Sequence, residues 1–570
     1  MLIGIDLGTT NSAVAVWHNE TSQLVPNALG EMLTPSAISV DGSGQVWTGA
    51  AALDRMATHP EETVTSFKRM MGTQANVKLG KRTFRAEELS AVILTSLVDD
   101  VEQALGTRPT EAVITVPAYF NEKQRRATRR AGEIAGLDVR RLINEPTAAA
   151  LAYGLQDRGD REPFLVFDLG GGTFDVSIVE MFDGIVEVRA SAGDNRLGGD
   201  DFNQVMVQLM EPQLGDDAGA ALAGIAADRR TALLSLAAEK ARRALSDHAE
   251  TEFAVTVGDT RYAASVTGEQ FEEAAQGLIK RLRDPVIRSM RDSGIDLKGL
   301  SEIVLVGGAT RMPVVRKALT RMFGRFPNHS VHPDHAVALG AAVQAGLLAK
   351  DGGLDEIRIT DVAPFTLGVD TSTHDKFGNL QTGIFAPIIE RNTPVPVSRM
   401  EWFSTIRDNQ REVEFNVYQG EARDVAQNVM LGTTRIAVPP KPAGHVGIEV
   451  RFTYDTSGLL EVDVTVPDTG LTKNLIIVDE EDRRTGKDLE ASRKALAGLK
   501  IHPREEAENV ALMARAERCY ESFTGQVRTM IGEWITDFRG ALDRQDKRVI
   551  AEARAQLAQA LDRLEENPPL

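Results

Sequence analysis

The chain carries the same glycine hairpin twice, and this constrains its fold more than any other feature. Gly4-Ile5-Asp6-Leu7-Gly8-Thr9-Thr10-Asn11-Ser12 and Phe167-Asp168-Leu169-Gly170-Gly171-Gly172-Thr173-Phe174-Asp175 share one plan: strand, Asp-Leu-Gly, a turn bearing threonine, strand. An apolar run follows each, Ala13–Val16 and Val176–Val179. Such a repeat predicts two related lobes that face each other. Glycine at a turn lets backbone approach an anion and adopt positive φ. Successive N–H groups there form an anion-binding nest, and threonine hydroxyls add donors. An aspartate just before the turn suits Mg2+, which takes one or two carboxylates plus phosphate oxygens. One hairpin of this kind is usually an ordinary β-turn; two with the same core predict a clamp on a triphosphate. The turns are not of the Walker type, because no G-x-x-x-x-G-K-[ST] occurs. A third glycine pair, Gly307-Gly308, follows the strand Ile303–Val306 and precedes a helix start at Pro313. That arrangement lets a flat group, or a tightly packed helix, approach bare backbone.

At 570 residues the chain is too long for one hydrophobic core and predicts two to four units. Its net charge of −18 argues against nucleic acid or an anionic membrane as a main partner. The single cysteine, Cys519, excludes an internal disulfide and fits a reducing, cytoplasmic setting; it reads as a bystander in a polar helix. The start of the chain shows no signal-peptide pattern, and no apolar run is long enough to span a membrane. Strand runs (Ala112–Val116, Phe164–Phe167, Ile303–Val306) mixed with helical stretches (Glu122–Ala135, Thr231–Leu245) predict an α/β unit over residues 1–350. After a break at Asp351-Gly352-Gly353, Arg411–Val417 and Leu460–Val466 alternate polar and apolar residues, as in an antiparallel β-sandwich over 363–480. Residues 351–362 read as a linker. Helical patterns return from about Asp488, with Ser492, Ala495, Leu496 and Leu499 on one face, then Ala507–Leu542 and Asp546–Leu564. Their polar girth predicts a cover over another surface, a lid spanning 481–570, rather than a large core.

Gly4–Ser12, Val113–Phe120, Ile143–Gly154, Asp168–Asp175, Gly198–Phe202, Val304–Met312, Ala338–Gly346 and Asp361–Gly368 together resemble the 70-kDa heat-shock chaperone (DnaK-like) family over essentially the whole chain. The compact length and Asn392–Ser398 resemble its shorter HscC-like branch. The resemblance implies an actin-like ATPase fold of two lobes, then a β-sandwich for peptides, then an α-helical lid. It implies ATP/ADP with Mg2+ and K+ as cofactors. Asp6, Asp168 and Asp175 would surround the metals. Gly8, Thr9, Thr10, Asn11, Gly170, Gly171, Gly172 and Thr173 would hold phosphates, with Gly198 and Gly199 beside them. Lys68 and Glu145 match the family's phosphate-contacting lysine and the carboxylate near the attacking water, acting with Asp168 and Thr173. Glu239, Arg242, Arg243 and Ser246 match its adenosine-contacting helix; the spacing alone equally suits an ion pair from Glu239 to Arg243. Gly307, Gly308, Ala309, Arg311 and Asp334 would complete the pocket, although Pro333-Asp334-His335 stands where the family usually has Pro-Asp-Glu.

The same resemblance assigns coupling roles to Pro117, Arg125 and Asp361, and a J-domain co-chaperone contact to Arg141. Ile357-Arg358-Ile359-Thr360 replaces the family's aliphatic linker run and predicts weaker docking, by about 1–2 kcal/mol at 25 cal/mol per Å2. Val369, Phe403, Ile406, Val413, Phe415 and Ile448 map to the peptide pocket, and each reads equally well as sandwich core. Phe415 and Ile406 are bulkier than the family's usual residues and predict a shallower pocket. Pro442-Ala443-Gly444 stands where the family has a latch arginine. Expected partners are extended peptides, a J-domain protein and a nucleotide exchange factor, with no nucleic acid and no membrane. Rival readings are a sugar-kinase-like phosphotransferase, which shares the two hairpins, and an actin-like filament ATPase.

Overall fold

The computed structural model describes residues 1–42, 44–154, 161–182, 185–328, 332–349, 358–374, 379–455, 460–477, 507–523, 525–544 and 547–566. The expected helical face at Ser492–Leu499 lies outside them. Two compact units are present. Met1–Phe365 with Arg391–Pro394 forms the first, and Thr366–Glu390 with Val395–Leu570 the second.

The hairpin repeat extends to whole sheets. In the first lobe, β1 (Leu2–Asp6) and β2 (Asn11–His18) are antiparallel, β3 (Thr21–Val25) continues beyond β2, and β4 (Glu111–Val116) lies parallel to β1 with β5 (Asp138–Asn144) outside it. The second lobe repeats this order. There β6 (Arg161–Leu169), β7 (Phe174–Phe182) and β8 (Ile185–Asp194) run antiparallel, and β9 (Ile303–Val306) lies parallel to β6. Strand β6 is apolar almost throughout because both its faces are covered. Leu165, Phe167 and Leu169 join the core of the second lobe, while Phe164 and Val166 face the opposite way, into a central layer.

That central layer joins the lobes. It consists of α2 (Glu145–Gly154) and α7 (Ala336–Leu348), both rich in alanine. Small residues allow close approach: a Cβ on Gly340 would overlap the Ala148 carbonyl, and one on Gly4 would overlap the backbone of Ala341 and Ala342. The remaining helices of this unit used below are α1 (Glu122–Ile134), α3 (Gly199–Met210), α4 (Ala227–Ala244), α5 (Gln276–Ser293) and α6 (Pro313–Phe323).

The last five residues of the expected linker are a strand. β10 (Arg358–Val362) adds parallel to β8, with Ile185 opposite Arg358, Val186 opposite Ile359 and Glu187 opposite Thr360. Backbone hydrogen bonds make this ladder, so Arg358 and Thr360 cost it less than an apolar-docking argument predicts. Ile359 packs against the central layer.

The second unit holds two four-stranded antiparallel sheets. One has the order β12 (Leu380–Ile389), β11 (Leu367–His374), β14 (Glu412–Gln419), β15 (Val429–Ala437). The other runs β13 (Val397–Ser404), β16 (Gly447–Tyr454), β17 (Leu460–Val466), β18 (Leu471–Ile477). After them come α8 (Ala507–Ser522), α9 (Gly525–Asp543) and α10 (Lys547–Glu566). These helices correct one sequence expectation: the stretch Ala507–Leu542 is two helices. The three helices together bury a small core that includes Leu512, Ala516, Ile531, Phe538, Leu557 and Leu561. Cys519 is buried in that core rather than in a polar setting.

Candidate functional site

The two hairpin turns meet over a cleft of about 620 Å3 in the first unit. Their glycines are sterically required. A Cβ on Gly171 would overlap the Thr10 hydroxyl, one on Gly172 would stand 2.5 Å from the Thr9 methyl, and one on Gly198 would stand 2.5 Å from the Gly171 carbonyl. Backbone bonds lock the second turn to the start of α3: Gly199 N–H donates to the Gly170 carbonyl at 2.9 Å and Asp200 N–H to that of Gly171 at 2.8 Å. The first turn is braced by serines. Gly8 N–H donates to Ser12 Oγ at 3.2 Å, and Ser36 Oγ donates to the Gly8 carbonyl at 2.8 Å.

Lys68 reaches the cleft floor from a short 3-10 turn, Phe67–Met70, launched by Ser66 in the left-handed region at φ 55°. The strained serine is held by its hydroxyl, which donates to Asp200 Oδ2 at 2.7 Å. Lys68 is only 3% exposed, and its Nζ donates to Glu145 Oε1 at 2.6 Å. Glu145 is the first residue of α2, directly after β5, so strand and helix both fix its position.

Around this pair lie three more carboxylates. Asp6, at the end of β1, accepts from Thr115 Oγ at 3.0 Å. Asp175 accepts from the backbone N–H groups of Ala118 and Tyr119, both at 3.1 Å. Burial, and then the Glu145 charge, push Asp6 and Asp175 up to about 7. The same causes raise Asp168 well above the usual carboxylate range. One lysine cannot neutralise three buried carboxyl groups and the half-buried Asp6. Asp168 Oδ2 and Thr10 Oγ are buried without a hydrogen-bond partner. Such orphaned oxygens on the wall of a polar cleft fit a cation and a phosphate donor set. Among the described residues, no three His, Cys, Asp or Glu side chains gather into a direct metal cage. The donor set therefore suits a divalent cation that keeps waters and takes phosphate oxygens.

The other end of the cleft is lined by α4 and the Gly307-Gly308 turn. Arg242 is buried, its Nε donates to Asn203 Oδ1 at 2.7 Å, and burial lowers its pKa. Arg243 is 63% exposed and pairs with Glu239 at 2.6 Å, which is the ion pair the spacing also allowed. Gly307, at φ 82°, uses a conformation open to glycine, and Arg311 pairs with Asp334. Arg311 donates to His332 Nε2 at 3.1 Å, and His332 stacks on His335, with ring centroids 3.9 Å apart.

The cleft therefore gathers Asp6, Gly8, Thr9, Thr10, Asn11, Lys68, Glu145, Asp168, Gly170, Gly171, Thr173, Gly199, Glu239, Arg242, Arg243, Ser246, Gly307, Gly308, Ala309, Arg311 and Asp334. Gly172, Gly198 and Asp175 are not on its wall. Gly172 packs against the Thr9 and Arg69 side chains and Gly198 against the Gly171 backbone, and the two Asp175 oxygens accept from the N–H groups of Ala118 and Tyr119. Sequence reasoning missed Arg69, Asp201 and His332. Arg69 donates to the Gly172 carbonyl at 3.1 Å and pairs with Asp201 at 2.5 Å, and Asp201 accepts from Gly198 N–H at 2.8 Å. Arg69 follows Lys68 directly and Asp201 lies inside the Gly198–Phe202 motif, so adjacency was the available signal.

A polar path leads away from Glu145. Arg125 donates to the carbonyls of Ala118 at 3.2 Å and Phe120 at 3.1 Å, and to Asn144 Oδ1 at 2.6 Å. Asn144 donates to Asp361 Oδ2 at 2.7 Å, and Thr147 Oγ donates to the same oxygen at 3.3 Å. Pro117 is buried at the end of β4, and Arg141 is half-buried on β5.

In the second unit the six expected pocket residues separate. Val369, Phe415 and Ile448 are buried in the sandwich; Phe403 and Val413 are half-buried and Ile406 is exposed. Phe403 and Phe415 meet edge to face at 5.6 Å, and Phe403 lies opposite Ile448 in the β13–β16 ladder. Half the set is thus core, as the residues alone equally allowed.

Fold and cleft define the class: a two-lobed unit with a polar, carboxylate-lined cleft, and a second unit with β-rich and helical parts. The family model described as Hsp70 protein matches residues 2–80 and 73–567. Chaperone protein DnaK of Thermotoga petrophila is 38% identical over 568 residues, covering 96% of this chain and 93% of that protein. Chaperone protein DnaK of Thermosipho melanesiensis is 40% identical over 498 residues, covering 84% and 81%. The chain belongs to the Hsp70 family and is an ATP-dependent molecular chaperone with ATPase activity. The phosphotransferase and filament readings are not favoured. The narrower HscC-like likeness rests on the sequence features alone. No described helix is long and apolar enough to cross a membrane.

Proposed function

We propose that the two hairpins grip the triphosphate of Mg·ATP from opposite sides, and that its hydrolysis controls an extended-peptide groove in the β-rich part. The buried Lys68–Glu145 pair, facing Asp6 and Asp168 between the turns, carries this reading. Phosphoryl transfer needs positioning and charge stabilisation more than covalent help. Lys68 would stabilise charge on the transferred phosphoryl group, and Glu145 would orient the attacking water. Asp6 and Asp168 would hold Mg2+ and K+, directly or through waters, and Asp175, whose oxygens hold the Ala118 and Tyr119 N–H groups, would add charge from behind the wall. When bound, these cations neutralise the phosphates and relieve repulsion among the carboxylates. Glu239 and Arg242 on α4 and Ser246 just beyond its end, with the Gly307–Arg311 turn and Asp334, would hold the nucleoside.

The path from Glu145 through Asn144 to Asp361 gives nucleotide state a physical route to the linker strand, with Arg125 and Pro117 beside it. Coupling of this kind is reciprocal: peptide must alter nucleotide affinity by the factor with which nucleotide alters peptide affinity. The groove would take one apolar side chain near Phe403, Ile406 and Val413, with backbone pairing along the peptide. A J-domain co-chaperone touching Arg141, a nucleotide exchange factor and a cytoplasmic location complete the reading. The test is ATP turnover with and without an extended apolar peptide. Peptide should accelerate wild-type turnover, and Val413→Phe should abolish the acceleration. An ATPase blind to peptide at every concentration refutes the coupling.

A further inference from the structure

A second groove, of about 1090 Å3, lies in the first unit between α5 and α6, and its lining differs from that of the nucleotide cleft. Ile279, Val286 and Met290 from α5 and Val314, Met322 and Phe323 from α6 supply apolar surface. Ala318, between Val314 and Met322 on the same helical stripe, leaves depth at the centre. Ile287 and Leu297, 48% and 47% exposed, stand on the rim. An apolar recess edged by exposed aliphatics marks an interaction site more often than idle surface.

Charge narrows the occupant. The lining holds Lys280, Arg283, Arg291, Lys298 and Arg321 against Glu272 and Asp296. Both carboxylates are already engaged. Glu272 pairs with Lys317 at 2.8 Å and Arg321 at 3.2 Å. Asp296 accepts the backbone N–H groups of Lys298 and Gly299, at 3.0 and 2.9 Å. Lys280, Arg283 and Lys298 make no ion pair among the described residues. Lys280, Arg283, Ile287 and Arg291 follow helical spacing, so cations and an exposed aliphatic form one stripe beside the apolar floor. The rim is a basic island on a chain of net charge −18. That overall charge disfavours a second copy as occupant, and an apolar floor does not suit a phosphate backbone.

We propose that this groove docks an amphipathic helix of a partner protein, its apolar stripe on the floor and its flanks acidic. Helix α5 has 18 residues, about 27 Å at 1.5 Å per residue, enough to seat four to five partner turns. This is helix-in-groove recognition with electrostatic selection at the rim.

The test uses the full chain with its β-groove saturated by an extended apolar peptide. The probe is a fluorescent helical peptide with leucines at i, i+3, i+4 and i+7 and glutamates on its flanks; a lysine-flanked version is the control. Anisotropy reports affinity, and the methyl resonances of Met290 and Met322 report the location. The acidic probe should shift both methyls and bind at least tenfold tighter than the basic one. Lys280→Glu with Arg283→Glu should reverse that preference, and Lys298→Glu alone should reduce it, with the unfolding transition of each variant confirming its fold. The proposal is overturned if neither methyl shifts at millimolar probe, or if both probes bind equally. It is also overturned if charge reversal changes nothing, or if the methyls shift with protein concentration alone.

Discussion

The nucleotide cleft and the β-sandwich are both assembled from short motifs, yet they present their working residues in opposite ways. In the cleft the working groups are polar and under-satisfied: Asp6, Glu145 and Asp168 line the wall with one buried lysine, and Asp168 Oδ2 and Thr10 Oγ have no hydrogen-bond partner. In the sandwich the candidates are apolar and content: Val369, Phe415 and Ile448 are buried among their neighbours. A polar site stands out because burying it is costly without a ligand. An apolar site costs nothing to bury and is indistinguishable from core until something enters it.

This contrast can be broken by substitution. The largest effect should come from Lys68→Ala, with single-turnover hydrolysis falling about 100- to 1000-fold, the scale of losing one electrostatic stabiliser; a loss below tenfold would remove Lys68 from the chemistry. Ile448→Ala should lower the unfolding free energy of the second unit by about 2–5 kcal/mol, read from a denaturant transition monitored at Trp402. If it weakens peptide binding without lowering stability, Ile448 is a pocket residue and the contrast fails. Asp361→Ala removes the acceptor of Asn144 and Thr147 and should cut the ratio of peptide-stimulated to basal turnover severalfold. Val413→Phe, at a half-buried position, should alter stability least, by about 1 kcal/mol, while removing that stimulation.

How much of this was legible in the sequence follows the same division. The hairpins announced themselves because only glycine fits where Gly171 meets Thr10 and Gly198 meets Gly171. The strands Ile303–Val306 and Leu460–Val466 appear with the bounds their apolar patterns predict. The linker strand did not, because Arg358 and Thr360 suggest solvent while the pairing with β8 is made by backbone. The small core of the helical bundle was not legible because it draws a few residues from each of three helices. Arg69 and Asp201 were passed over because their role, bracing the second turn, is made by contacts across more than a hundred residues of sequence.

The claim beneath all of this is that the two turns close on one triphosphate. Calorimetric titration of Mg·ATP into wild type and Gly171→Ala, both verified as folded, tests it most directly. The account predicts tight binding by wild type and at least a hundredfold loss in the variant, because the added methyl occupies the space where the turns meet. Unchanged affinity in Gly171→Ala would contradict it.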